Sequence, residues 1–201
     1  ATVTGGMDQT AHLTLWADAD ANNDGYIFLY DGSAIDTNGG DIVMAGGADG
    51  NSDGRPDGFA TSATSDISGV SIGRLNGAAT AGTTILSDGG DIFIKGKSSG
   101  GGVGMGINYS HSGVLDAGSG TLTMIGESSS YNAIELSAWI AGVAEGSYLD
   151  INANTISMSG ISSASGRSGL NSSQLNNRYT RITSGPGGIS FYGENTADTS
   201  K

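Results

Sequence analysis

A short apolar-x-apolar unit recurs six times along this chain, usually after a Gly-rich turn, and five of the six copies run on to a glycine. The copies are His12-Leu13-Thr14-Leu15-Trp16, Asp41-Ile42-Val43-Met44-Ala45-Gly46, Asp91-Ile92-Phe93-Ile94-Lys95-Gly96, Thr121-Leu122-Thr123-Met124-Ile125-Gly126, Thr155-Ile156-Ser157-Met158-Ser159-Gly160 and Gly188-Ile189-Ser190-Phe191-Tyr192-Gly193. Between their first apolar residues the steps are 29, 50, 30, 34 and 33 residues. Four steps share one approximate period, and the long one carries a loop insertion near residues 47–66. Recurrence at this period is the signature of a solenoid, in which each unit buries its apolar edge only by stacking on the next.

Side chains alternate across a strand, so Leu13/Leu15, Ile42/Met44, Ile92/Ile94, Leu122/Met124, Ile156/Met158 and Ile189/Phe191 point one way. Thr14, Val43, Phe93, Thr123, Ser157 and Ser190 point the other. Stacked at about 4.8 Å per layer, the first set makes two apolar ladders roughly 25 to 30 Å long. Each period has room for two more strands. Second-strand candidates are residues 26–30, 70–72, 103–107, 133–136 and 169–170; third-strand candidates are 34–35, 85–86, 114–115, 149–151 and 179–182.

Three strands per turn, joined by polar Gly/Ser/Asn corners, predict an all-β chain folded as a three-sided right-handed parallel β-helix of about six rungs. The handedness follows from the dominance of right-handed parallel crossovers. A convincing helical period is missing. Ala133 to Val143 comes closest, but Ile134 and Leu136 flank Glu135 in strand alternation before a loop around Trp139.

Glycine, at 36 of 201 residues, would suggest disorder if the apolar residues were scattered; they sit instead at fixed offsets. The shared repeat implies one domain over residues 1–201. With neither end showing a polar capping unit, it reads as a fragment of a longer repeat protein. Twenty acidic against eight basic residues give a formal charge of −12, which disfavours nucleic acid and anionic lipid as partners. The chain has no cysteine, hence no disulfide or thiolate chemistry, and no window reaches the 18 apolar residues of a membrane span.

The sharpest local signal is Asp20-Ala21-Asn22-Asn23-Asp24-Gly25-Tyr26-Ile27, the opening of a calcium loop. Asp20, Asn22 and Asp24 supply side-chain oxygens, Tyr26 its carbonyl, and Asp31 falls at loop position 12. A second copy, with Asp49, Asn51, Asp53 and Asp57 at positions 1, 3, 5 and 9, lies in the insertion. Calcium is the cofactor both spacings imply. The competing reading is that Asp, Asn and Gly crowd any tight turn, where Asx side chains hold backbone groups.

Catalysis on a β-helix needs a carboxylate cluster with a basic partner on the outer face of neighbouring strands. The outward column Thr14 to Ser190 has no carboxylate, and its neighbour Trp16, Ala45, Lys95, Ile125, Ser159, Tyr192 has one lysine. The chain therefore reads as non-enzymatic. Gly69-Val70-Ser71-Ile72-Gly73 matches a nucleophile-elbow pattern but lies within a strand. His12 and His111, far apart in sequence, read as surface or turn residues. Trp16, Phe93 and Tyr192 point outward, where aromatic faces suit sugars or protein partners, unless the insertion folds across Phe93.

GGDIVMAGG (Gly39 to Gly47), DGGDIFIKGK (Asp88 to Lys97), SGTLTMIGE (Ser119 to Glu127) and LTLWADAD (Leu13 to Asp20) resemble the shaft repeats of filamentous-haemagglutinin-like exoproteins, large bacterial adhesins exported by two-partner secretion. The resemblance implies an internal β-helix segment of a secreted, cell-surface rod acting as a stalk or adhesin. Its partners would be adjacent repeats of the parent chain and a glycan or cell-surface receptor. The alternatives are a carbohydrate-active β-helix, as a polysaccharide binder, lyase or tailspike-like protein, and a self-associating fibre module.

Overall fold

The computed structural model describes residues 2–4, 9–74, 82–137, 148–173 and 179–197, and every regular element among them is a strand. Strand β1 (Thr2–Thr4) precedes a first turn made of β2 (Leu13–Ala17), β3 (Ile27–Tyr30) and β4 (Ala34–Asp36). The second turn is β5 (Ile42–Gly46), β6 (Ala60–Ser62), β7 (Val70–Arg74) and β8 (Thr83–Leu86). The third is β9 (Ile92–Ser98), β10 (Ile107–Tyr109) and β11 (Gly113–Asp116). The fourth runs through β12 (Thr121–Ser128), β13 (Ile134–Ser137) and the first half of β14 (Tyr148–Ser162). The fifth takes the rest of β14, β15 (Leu170–Ser173) and the first half of β16 (Tyr179–Asn195), whose second half opens a sixth layer.

All pairings between these strands are parallel, and each strand pairs with its counterparts in the adjacent turns. The result is a three-sided parallel β-solenoid of about five turns. Its first face stacks β2, β5, β9, β12 and the second halves of β14 and β16. The second stacks β3, β7, β10, β13 and β15, and the third stacks β1, β4, β8, β11 and the first halves of β14 and β16.

On the first face the register aligns Leu13, Ile42, Ile92, Leu122, Ile156 and Ile189 in one column and Leu15, Met44, Ile94, Met124, Met158 and Phe191 in the next. The middle members of both columns are fully buried. They meet Val70, Ile107 and Ile134 from the second face and Ile85, Leu115 and Ile151 from the third in one core. Apolar burial of this kind supplies the main drive to stack.

The next two inward positions explain the closing glycine. Gly96, Gly126, Gly160 and Gly193 share one column, followed by Ser98, Ser128, Ser162 and Asn195. A Cβ on Gly96 would stand 2.2 Å from the Gly106 carbonyl oxygen and one on Gly160 2.0 Å from that of Gly169. The first and second faces meet there too closely for a side chain. The serine hydroxyls then hold the corner: Ser98 donates to the Ile67 carbonyl at 3.3 Å, Ser128 to Gly104 at 2.8 Å and Ser162 to Tyr131 at 2.7 Å. In each case the acceptor belongs to the corner of the preceding layer, so the hydroxyl ladder stitches successive turns while satisfying buried polar groups.

Two sequence expectations are corrected. Val103 to Ile107 is not the second strand of its turn; β10 starts at Ile107. Val103 is 49% exposed, and Gly104 and Gly106 sit against backbone at the corner. The insertion is also shorter than 47–66. The strand leaves the ladder beyond Met44, and β6 returns to finish the layer by pairing Ala60, Thr61 and Ser62 with Gly96, Lys97 and Ser98. Only residues 47–59 are extra; 60–62 complete the strand layer and 63–66 belong to the ordinary corner. The loop expected around Trp139 lies outside the described residues.

Tyr109 is buried within the second face and its hydroxyl donates to the Thr83 carbonyl at 2.8 Å, tying the second face to the third. Burial, and secondarily the charge of Asp31, push its pKa well above the usual tyrosine value. A raised pKa means the folded state holds the phenol proton more tightly than the unfolded chain does. The associated stability is complete below about pH 10 and is lost as pH rises through the folded-state pKa. In an alkaline titration followed by phenolate absorbance, Tyr109 among the seven tyrosines should ionise only as the chain unfolds. Complete ionisation of all seven in a chain still folded by circular dichroism would contradict this packing.

Candidate functional site: a cleft beneath the insertion

Residues 47–59 leave the first face and arch back across it. Trp16 anchors the start of the arch, its indole N–H donating to the Gly47 carbonyl at 2.7 Å. Gly46 and Gly58 form an antiparallel bridge at the base, and Lys95 donates to the Asp57 carbonyl at 2.8 Å while lying 4.6 Å from the centre of the Phe59 ring. Between arch and sheet lies a cleft of about 360 Å³. Its floor is the outward column Val43, Phe93 and Thr123; Asp53, Arg55, Pro56 and Asp57 wall one side, and Asp41, Asp91 and Thr121 close the other. The insertion thus lies across Phe93, one of the two arrangements the sequence left open.

Asp41 and Asp91 occupy equivalent positions, each just before its apolar triplet, and link three layers. Asp41 Oδ1 accepts the Asp91 N–H at 3.1 Å, and Asp91 Oδ1 accepts the Thr121 N–H at 2.8 Å. Arg55 Nη2 reaches Asp41 Oδ2 at 3.3 Å, joining the arch to this row. These aspartates stand outside the two outward columns of the first face, which hold no carboxylate. The repeated Gly-Gly-Asp-Ile at 39–42 and 89–92 is the sequence signal that marks them.

The second Asp/Asn loop forms the arch itself, and its side chains bind its own backbone. Asp49 accepts from the Asp53 and Gly54 N–H groups at 3.0 and 2.8 Å, and Asn51 Oδ1 from the same Asp53 N–H at 2.9 Å. Asp57 accepts from Gly50 at 2.8 Å and from Asn51 Nδ2 at 3.2 Å, and Asp53 from the Arg55 N–H at 2.9 Å. All four residues expected as ligands thus lie in one hydrogen-bonded loop, their oxygens accepting from its backbone as Asx side chains do in tight turns.

The first loop is gathered less completely. Asn22 donates to Asp20 at 2.8 Å and accepts from the Asp24 N–H at 2.9 Å, beside Asp18, which accepts from the Asn23 N–H at 3.0 Å. Tyr26 follows at the foot of β3, and Asp31 does not close the loop. The length of β3, roughly 13 Å at 3.3 Å per residue, carries it away to the corner where its charge acts on Tyr109. The two loops face each other across a second cleft of about 380 Å³, lined by Asp18, Asn23, Ala48, Asp57 and Lys97 among others. Among the described residues no three His, Asp or Glu side chains converge as a metal site would require.

His12 is a surface residue whose Nδ1 accepts the Asp41 N–H at 3.1 Å. His111 is not a surface residue: it is buried at a corner, with Nδ1 against the Gly73 carbonyl. Ser71 lies within β7, as the sequence suggested. Tyr192 is exposed and donates to Glu194, a hydrogen bond to a carboxylate that raises its pKa. Glu135, buried on the outer side of the second face, accepts from Asn132 at 2.7 Å and Asn171 at 2.8 Å. No known protein family, curated protein or solved structure matches the chain.

Proposed function

We propose that this chain is a non-catalytic shaft segment of a large secreted or cell-surface bacterial protein of the filamentous-haemagglutinin-like kind. The observation that carries this reading is the unbroken register of two inward columns through six layers. Such a stack transmits load through backbone hydrogen bonds along its axis and needs no other core. In the sixth layer the inward residues Ile189 and Phe191 are 44% and 49% exposed, an edge on which a further turn of the same geometry would stack. Immunogold labelling of the native host tests the placement: label along the outer surface agrees with the proposal, and label confined to the cell interior contradicts it.

Calcium is proposed as a rigidifying ion, held by Asp49, Asn51, Asp53 and Asp57 in the arch and by Asp20, Asn22, Asp24 and the Tyr26 carbonyl in the first loop. A site at hundredfold excess of ion stabilises by about 2.7 kcal/mol. For a chain of this size that raises the melting temperature by roughly 5 to 10 °C. An identical melting temperature in millimolar calcium and in excess chelator would count against it.

One observation favours a second reading, a carbohydrate-active β-helix. Asp41, Asp53, Asp57 and Asp91 line a single cleft together with Arg55. Release of reducing sugar from any polysaccharide by the purified chain would replace the shaft proposal with this one.

A further inference from the structure

We infer that the cleft beneath the arch binds a saccharide bearing an amino group, with Phe93 as the stacking platform. This goes beyond the shaft reading and does not depend on it. The cleft offers apolar surface from Phe93 and Val43 on its floor and Pro56 on its wall, and its rim carries four carboxylates against one guanidinium. Thr121 and Thr123 add hydroxyls that both donate and accept.

A ligand that uses all of this needs a flat apolar face and hydroxyls directed around its edge. A pyranose ring has both: its C–H face suits the Phe93 ring, and its hydroxyls meet carboxylates and threonines. A lysine side chain would use only the acceptors, bringing no flat face to Phe93 and no hydroxyls to the threonines. The excess of carboxylates selects against acidic sugars and for a protonated amine.

The floor residues belong to three successive layers, Val43, Phe93 and Thr123, so the cleft runs along the solenoid axis for about 10 Å at 4.8 Å per layer. Its volume falls within the range of small-ligand sites. An oligosaccharide would lie lengthwise, parallel to the rod. The Asp41 and Asp91 row is already fixed by backbone N–H groups, which holds the acidic rim in place before any ligand arrives.

Isothermal titration of the whole chain with glucosamine oligomers, their N-acetylated counterparts, oligogalacturonate and oligolysine tests this. Saturable binding of the glucosamine oligomers is expected, with weaker binding of the acetylated series and none of oligogalacturonate. Phe93→Ala should weaken binding about tenfold or more. Asp91→Asn, which keeps the oxygen that accepts the Thr121 N–H, should weaken it with no change in melting temperature. Oligolysine should bind more weakly than the amino sugar and be indifferent to Phe93→Ala. The inference is overturned by no saturable glucosamine binding at millimolar concentration, by equal affinity for the acetylated series, by affinity unchanged in both variants, or by tighter oligolysine binding lost in Phe93→Ala.

Discussion

Replacing Leu122 by aspartate should leave the chain unfolded at 25 °C, whereas replacing the adjacent Thr123 by the uncharged asparagine should be nearly silent. Leu122 is fully buried between Ile92 and Ile156 in the first inward column, with core residues of the other two faces across the lumen. A carboxylate there finds no partner and must either remain charged in an apolar medium or take up a proton at a cost of several kcal/mol. Added to the lost burial of a leucine, the penalty exceeds about 5 kcal/mol, comparable with the whole stability of many domains. Thr123 is one residue on, outward and half-buried, where surface substitutions cost within about 0.5 kcal/mol. Leu122→Ala should fall between, at about 2 to 5 kcal/mol. Thermal melts followed by circular dichroism separate the three, and a Thr123 variant melting below Leu122→Ala would reverse the assignment of inside and outside.

The second large effect is expected at a residue with no side chain. Gly160→Ala would place a Cβ 2.0 Å from the Gly169 carbonyl oxygen and 2.6 Å from its carbon. Gly169 is itself hemmed in, its own Cβ position lying 2.2 Å from the Gly160 oxygen and 2.4 Å from the Glu194 nitrogen. Two backbones in contact cannot yield as a flexible side chain would, so the layers must part. We expect a loss of about 3 kcal/mol, the upper end of overpacking. That corresponds to a fall in melting temperature of roughly 6 to 12 °C. Gly101→Ala is the matched control, since a Cβ there meets nothing within 4 Å and should cost less than about 0.5 kcal/mol. Equal melting temperatures for the two variants would show that the faces do not converge at the closing glycine.

These residues also show why parts of the fold were legible in the sequence and others were not. The first-face strands announce themselves because a pair of apolar residues two positions apart recurs six times at a near-constant spacing. The glycine that closes five of the six copies is visible as a pattern, but its cause, the close approach of the second face, appears only in three dimensions. Val103-Gly104-Met105-Gly106-Ile107 misleads because glycines between apolar residues mimic strand alternation, whereas here they form a corner. His111 carries no signal of burial, since a lone histidine is compatible with either environment.

The cleft was half legible. A long step in an otherwise regular period reveals an insertion, and Phe93 on an outward position reveals something for it to cover. The acidic rim was hidden because Asp41 and Asp91 stand one residue outside the strands, in the corner, where alternation gives no direction. The serine column was missed for a related reason: Ser98, Ser128 and Ser162 continue the inward register past the glycine, beyond the point where apolar residues mark it.

Leu13, Ile42, Ile92, Leu122, Ile156 and Ile189 occupy six consecutive layers of one stack, an order that pulsed electron spin resonance measures directly. The chain has no cysteine, so single replacements label cleanly. Nitroxides at Thr14 paired in turn with Thr123, Ser157 and Ser190 span three, four and five layers of the outward column. The distances should increase in that order, near 14, 19 and 24 Å at about 4.8 Å per layer. Distances that fail to increase in that order would contradict the solenoid.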